Sequence, residues 1–383
     1  MLDLLKWVFW LSVFAIIYSY SLYPFLLIIF SRLFGKPVKR DNSFTPTVGV
    51  LIPVHNEERV IRKKIDNILS LNYPEDKLSI WIGSDLSTDR TEEFVKEYNN
   101  PRIHLWRSPV RVGKTGILNN LAPQVDAEII LFTDANTMHQ KDCLRAVVCN
   151  FADPSVGGVA GHIEHVMNTE NDDQFGESIY RKFESKQKYM EGMLHSTISA
   201  FGGFYAIRKS LFKPIPPNSY SNDDVLIPMG IIRQKYRVIY EPLARSVEDT
   251  TGNIVSEFHR RIRIGAGNFQ AFSWLIDFLN PFRGWPFFCF LSHKVSRWFS
   301  PFFFVTAAVS CFMLSISAQE DVYRMLFAAG SIFLVTGLLH RVIALRITLH
   351  IYYFLMMNIA LLLGFVRFLC GIKSAAWSRT ERT

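Results

Sequence analysis

Four short clusters of carboxylate and amide side chains carry the chemistry this sequence could support. They are His55-Asn56-Glu57, Ser84-Asp85 with Asp89, Asp134-Ala135-Asn136, and Asn222-Asp223-Asp224. Their oxygens suit Mg2+ or Mn2+, which prefer carboxylate, carbonyl and water ligands. A divalent cation, or a cationic side chain, stabilises a departing diphosphate. A further carboxylate can deprotonate an attacking hydroxyl, a step worth ~10²–10⁴-fold in rate. Asp and Asn are also common turn formers and caps, so the weight lies in where the clusters fall rather than in any one of them.

Three of the clusters follow strand-like runs. VGVLIPV at 48–54 is continuously apolar and β-branched, as in a strand buried on both faces of a parallel sheet. Residues 57–71 follow with Ile61, Ile65, Ile68 and Leu69 at helical spacing. A second strand is expected at 78–85, then a helix over 88–98 that Thr88 could cap. A third strand is expected at 128–136. Strands alternating with helices predict an α/β domain over 42–281. Open sheets of that kind bind ligands at the carboxyl ends of their strands, where the polar clusters lie.

The rest of the chain is apolar. Of 383 residues 49% are hydrophobic, 32 are Phe, and the net charge is +8. The charge fits an anionic membrane surface or an anionic substrate, and no Lys/Arg run interleaved with aromatics supports a nucleic-acid partner. Five scattered cysteines with no CxxC pair point to free thiols, not to disulfides or zinc. Residues 7–30 are uncharged and long enough to span a bilayer even with Pro24 inside. Arg32, Lys36, Lys39 and Arg40 follow at once, which by the positive-inside rule makes residues 1–41 a membrane helix and basic linker leading into the cytosol. Residues 282–300 suit an interfacial helix, and 301–383 hold three further apolar segments, near 302–318, 325–339 and 349–369. Three spans put the C-terminus outside, whereas Lys373, Arg379 and Arg382 argue for inside; the number of crossings stays open.

PVHNEE, GSDLSTDRT, GKTGILN, FTDANT and SNDDVLIP, in that order between residues 48 and 270, resemble the membrane-integrated family-2 glycosyltransferases. That group includes the cellulose, hyaluronan and poly-N-acetylglucosamine synthases. The resemblance implies a GT-A type fold with a mostly parallel sheet flanked by transmembrane helices, in the cell's inner membrane. It implies a nucleotide-diphosphate sugar donor, UDP-linked in many members, and Mg2+ or Mn2+ as cofactor. By that analogy Glu57 and Asp85 contact the nucleoside, and Lys114 lies near the phosphates. Asp134 and Asn136 match the DxD metal motif, and Asp224 the general base, with Asp223 beside it in the substrate site. Gly202 and Gly203, in SAFGGFYAIR, match the stretch that borders the acceptor sugar.

Two departures bear on the reaction. The metal motif reads DAN, so its second ligand is the amide of Asn136. The QxxRW motif of processive synthases reads Arg260-Arg261-Ile262-Arg263-Ile264, which keeps an arginine at Arg263 but loses the sugar-stacking tryptophan. Arg260 and Arg263 could face the leaving diphosphate, where guanidinium forks suit phosphate oxygens, or lipid headgroups.

Other motifs are weaker. VRVGKT ends like a P-loop, but Ser108 stands where its first glycine is required. His162 and His165 alternate along a strand-like run and so point apart. Residues 170–173 read as a solvated acidic loop, and 180–194 as an amphipathic helix.

The expectation is an inverting, metal-dependent transferase acting in cell-surface polysaccharide synthesis. Alternatives are single transfer to a lipid-linked acceptor, or an inactive nucleotide-sugar-binding regulator of a partner synthase. Expected partners are the donor, a saccharide or lipid-linked acceptor and membrane lipids; a second copy or an export partner is left open.

Overall fold

The computed structural model describes residues 1–166, 173–220, 222–249, 254–318, 320–343 and 345–372. It divides into two compact units. One comprises Met1–Ile29, Glu170–Arg181 and Asn253–Gly371, and the other Phe30–Thr169, Lys182–Gly252 and Ile372–Thr383.

The second unit is built on eight strands: β1 Val48–Val54, β2 Leu78–Ser84, β3 Ile103–Arg107, β4 Ile129–Thr133, β5 Thr137–His139, β6 Val156–Val166, β7 Phe204–Arg208 and β8 Arg237–Asp249. Their order is β3-β2-β1-β4-β7-β6-β8-β5. Pairing is parallel from β3 to β4 and between β6 and β8, and antiparallel where β7 joins β4 and β6 and where β5 joins β8. Every residue of β1 is buried, as its unbroken apolar run predicts. Pro53 lies past the last β4 partner, at Leu51, so its missing N–H breaks no rung on that side.

Local chemistry shortens the expected helices. The helix foreseen over 57–71 runs only Ile61–Leu69. Asn56 takes a left-handed φ of 56°, and the amides of Glu57 and Glu58 donate to Thr91 Oγ1 and Asp89 Oδ2 instead of opening a helix. The helix foreseen over 88–98 runs Thr91–Lys96, and Thr88 does not cap it. Thr88 is tied to Asn56, while Asp89 accepts from the Thr91 amide at 3.0 Å. The third strand stops at Thr133, leaving Asp134, Ala135 and Asn136 as a turn.

Beneath that turn lies a buried polar network. Lys64 is fully buried and donates to Thr133 Oγ1 at 2.9 Å, to the Thr137 carbonyl and to His139 Nε2 at 3.1 Å. His139 in turn hydrogen-bonds Ser246 on β8 through Nδ1, 2.7 Å away. Burial lowers the Lys64 ammonium to about 7, against partial support from Cys143, Asp134 and Glu248. Burial, with Lys64 beside it, holds His139 well below the usual imidazole range. From about pH 7 to 9 the unfolded chain therefore binds the Lys64 proton more tightly than the folded one, so this group makes stability rise with pH, by at most about 1 kcal/mol per unit. Above about 9 the raised Cys143 thiol works in the opposite sense. Chemical denaturation at pH 7, 8 and 9 should show the rise, and Lys64→Met should flatten it.

The first unit is helical. Among the described residues four helices are long and apolar enough to cross a membrane: Leu2–Phe34, Ser300–Ser317, Asp321–Leu338 and Ile347–Leu369. Their large apolar side chains, among them Trp7, Leu11, Ile316 and Leu338, are mostly exposed, as lipid-facing residues are. Leu2–Phe34 widens into a π-turn at Tyr18–Leu22. Pro24 follows there, and its ring disfavours the normal contact with the carbonyl of Tyr20. Hydroxyl pairs lace this helix to the segments after 290: Ser12 to Thr306 at 2.8 Å, Tyr18 to Ser292 at 2.6 Å and Ser19 to Ser296 at 3.0 Å. Lys6 pairs with Glu320, so the N-terminus and the 318–321 connection share one end of the bundle.

The segment expected as one interfacial helix is helical from Trp285 to Trp298, where Trp285–Cys289 widens into a π-turn at Phe290–Val295 and continues as Ser296–Trp298. The helix Ile254–Trp274 meets the last span backbone to backbone. A Cβ on Gly364 would lie 2.8 Å from Gly265 Cα, so only glycine permits that approach. Lys373, Arg379, Arg382 and residues 170–172 lie outside the described residues, as does the side chain of His165.

Candidate active site

The polar clusters lie past the ends of β1, β2 and β4, and two groupings result. The first joins the ends of β1 and β2 to the loop after β3. Asp85 is fully buried, and its carboxylate accepts from the amides of Val112 (2.7 Å) and Gly113 (3.1 Å) and from Arg111 Nε (3.0 Å). Gly113 holds a φ of 72°, which favours glycine, and starts the helix Gly113–Leu121. His55 donates through Nδ1 to the Asp85 carbonyl at 2.9 Å and accepts at Nε2 from Arg111 at 2.6 Å. Burial and the Arg111 guanidinium lower its pKa, in keeping with a neutral ring. Glu57 is half-buried beside this group, its amide on Thr91 Oγ1.

The second grouping gathers four elements. Lys114, in the first turn of Gly113–Leu121, reaches Asp134 Oδ1 at 3.0 Å and Asp223 Oδ1 at 3.2 Å, and donates to the Gly202 carbonyl at 3.2 Å. Burial by itself would lower its pKa, but Asp134, Asp223 and Asp224 outweigh that and hold the ammonium well above the usual lysine range. Asp223 and Asp224 open the helix Asp223–Arg233, where the helix dipole favours negative charge. Asn222 precedes them with a left-handed φ of 74°. Tyr205 on β7 donates to Asp223 Oδ2 at 2.8 Å. Asp224 packs against Gly202: a Cβ there would sit 3.7 Å from its carboxyl carbon. Gly203 has no such room, since a Cβ would meet Thr137 Oγ1 at 2.6 Å. Asn136 turns its amide nitrogen to Glu248 Oε1, 3.0 Å away.

The structure thus brings together Lys114, Asp134, Gly202, Gly203, Asp223 and Asp224, with Asn136 on the same turn as Asp134. Glu57 and Asp85 form the neighbouring group. Arg260 and Arg263 lie on Ile254–Trp274 in the helical unit, where Arg260 pairs with Glu257 at 3.3 Å. Sequence reasoning passed over His55 as a ring, Arg111, Tyr205 and Glu248. Arg111 adjoins GKT and could have been noticed; Tyr205 and Glu248 have no local signal.

Among the described residues no three His, Cys, Asp or Glu side chains gather closely enough to hold a metal by themselves. The donors present, one carboxylate and one amide on a three-residue turn, still fit Mg2+ or Mn2+. Such ions are usually held by one or two protein oxygens together with substrate phosphates, not by a full protein cage.

A family model described as glycosyl transferase family 2 matches residues 49–215. A beta-monoglucosyldiacylglycerol synthase of Nostoc sp. is 36% identical over 134 residues, 33% of this chain and 29% of that protein. A poly-beta-1,6-N-acetyl-D-glucosamine synthase of Staphylococcus epidermidis is 23% identical over 249 residues, 61% of this chain and 57% of that protein. Both matches span less than two thirds of those relatives' length. The solved mannosyltransferase PcManGT from Pyrobaculum calidifontis, in complex with GDP-Man and Mn2+, aligns at a TM-score of 0.71 and 22% identity, covering 94% of this chain and 99% of that one. That likeness establishes a GT-A-like fold. Residues 49–215 thus match the family-2 glycosyltransferase model, and among the described residues four helices are apolar enough to cross a membrane.

Proposed function

We propose that the chain is an inverting glycosyltransferase that moves a sugar from a nucleotide-diphosphate donor onto a hydroxyl acceptor at the inner face of a membrane. The observation that carries this reading is the Lys114 ammonium held between Asp134 and Asp223, with Asp224 and Gly202 beside it. A cation set among carboxylates at the strand ends matches a ligand that brings its own negative charge and a metal ion. Asp134 and the Asn136 oxygen would hold Mg2+ or Mn2+. When bound, the ion would supply charge stabilisation for the departing diphosphate. Lys114 binds the phosphates, and the Glu57–Asp85 group marks the nucleoside end. Asp224 takes the proton from the acceptor hydroxyl. With a single base and direct attack on the anomeric carbon, inversion follows. Arg260 and Arg263 are read as phosphate ligands on the chemistry of their guanidinium forks. Arg32, Lys36, Lys39 and Arg40, after the first apolar helix, favour a cytosolic domain.

Cell-surface polysaccharide synthesis is one setting for this reaction. Transfer of one sugar per encounter to a lipid-linked acceptor is favoured by one observation: Ile264 stands where the stacking tryptophan of the processive synthases would be.

The detergent-solubilised chain with Mn2+ should release nucleotide from at least one of UDP-glucose, UDP-N-acetylglucosamine and GDP-mannose. Gel filtration of the product then reads its length. A product one sugar longer than its acceptor supports single transfer, and a long polymer overturns it.

A further inference from the structure

An amide in a metal motif raises a problem that a carboxylate does not. Aspartate presents oxygen at both ends, whereas asparagine presents oxygen at one end and two N–H donors at the other. A cation accepts only the oxygen. Asn136 therefore needs something to fix which end it offers, and the structure supplies it. The Asn136 nitrogen lies 3.0 Å from Glu248 Oε1. An ionised carboxylate only accepts hydrogen bonds, so it holds the nitrogen and leaves the oxygen directed elsewhere. Glu248 is placed there by sheet register: β5 pairs with β8 so that Thr137, the residue after Asn136, faces Glu248. It also restores beside the turn the negative charge that the amide lacks.

We infer that Glu248 is a positioning residue that orients the Asn136 amide with its oxygen toward the divalent cation. The inference rests on the proposed metal site and goes beyond it by assigning a residue outside every motif. Loss of an outer partner of this kind typically weakens metal binding 10–100-fold.

The test is a Mn2+ titration of the full chain followed by electron paramagnetic resonance, with UDP and separately with GDP present and no sugar donor. Glu248→Gln offers a donor as well as an acceptor, so either orientation of Asn136 can pair with it. It should weaken Mn2+ binding about 10-fold or more, with the thermal unfolding of the metal-free protein little changed. Adding Asn136→Asp to Glu248→Gln should restore affinity to near wild type, because aspartate has no wrong end. That repair is what a merely structural role for Glu248 would not show. If Glu248→Gln is unstable, Glu248→Ala with and without Asn136→Asp gives the same comparison. Glu248→Gln binding Mn2+ within about twofold of wild type, or a double variant no tighter than the single one, overturns the inference. Wild type binding no Mn2+ with either nucleotide overturns the metal site itself, a separate failure.

Discussion

Asp224→Asn is expected to lower turnover by ~10²–10⁴-fold while leaving donor binding within about twofold. The substitution keeps shape and removes the proton acceptor. Two backbone contacts border it: the Asp224 carbonyl accepts from the Ala200 amide at 2.8 Å, and Gly202 lies against the side chain. An isosteric amide leaves both contacts in place. Lys114 keeps Asp134 and Asp223 as direct partners, so the proposed phosphate end of the site is spared. Nucleotide release measures the first quantity, and equilibrium binding of the donor the second. Equal release by wild type and variant with every donor and acceptor would remove the enzyme reading and leave a nucleotide-sugar-binding regulator.

Asp85→Ala is expected to destabilise the transferase unit by about 2–4 kcal/mol, which for a unit of this size lowers its melting temperature by roughly 4–16 °C. The Val112 and Gly113 amides both point at a carboxylate with no solvent exposure, and alanine leaves them without an acceptor. Arg111 contributes less, because its side chain is 34% exposed and can turn to water. Activity should fall as well, through KM for the donor, because Lys114 follows Gly113 directly. Asp85→Asn keeps one acceptor oxygen and should lose less. Differential scanning fluorimetry and donor KM read the two effects, and an unchanged melting temperature for Asp85→Ala would refute the role given to this carboxylate.

These two residues show what could be read from the chain alone. Asp85 and Asp134 were legible as candidates because each ends or follows an apolar run, and strand ends are where open sheets place their chemistry; Asp224 opens a helix, and only the resemblance of SNDDVLIP gave it a role. β1 was legible for a related reason: a strand buried on both faces needs no alternation. Helix starts were not. Thr88 satisfies every local criterion for a cap, yet it is drawn to Asn56 on a loop 32 residues away. Glu57 and Glu58 are good helix formers whose amides are taken by Thr91 and Asp89. Such partners meet only after the strands have paired. Lys64 is a stronger case, since nothing in a helix of mixed charge marks one lysine as buried beneath the Asp134–Asn136 turn. Glu248 sits in no motif, and register alone brings it to Asn136.

That register also sets an order of assembly during synthesis. A chain leaves the ribosome from its N-terminus, and β1 to β4 can pair among themselves once residue 133 has emerged. The turn that follows is held on its far side by β5, whose partner β8 begins at Arg237. Asn136 thus waits for a residue 112 positions later before its side chain is set. A nascent chain arrested before β8 would carry the β1–β4 core and the Asp85 loop without the Asn136–Glu248 contact. The β5–β8 pairing thus closes only after the first apolar helix and the β1–β4 core have left the ribosome.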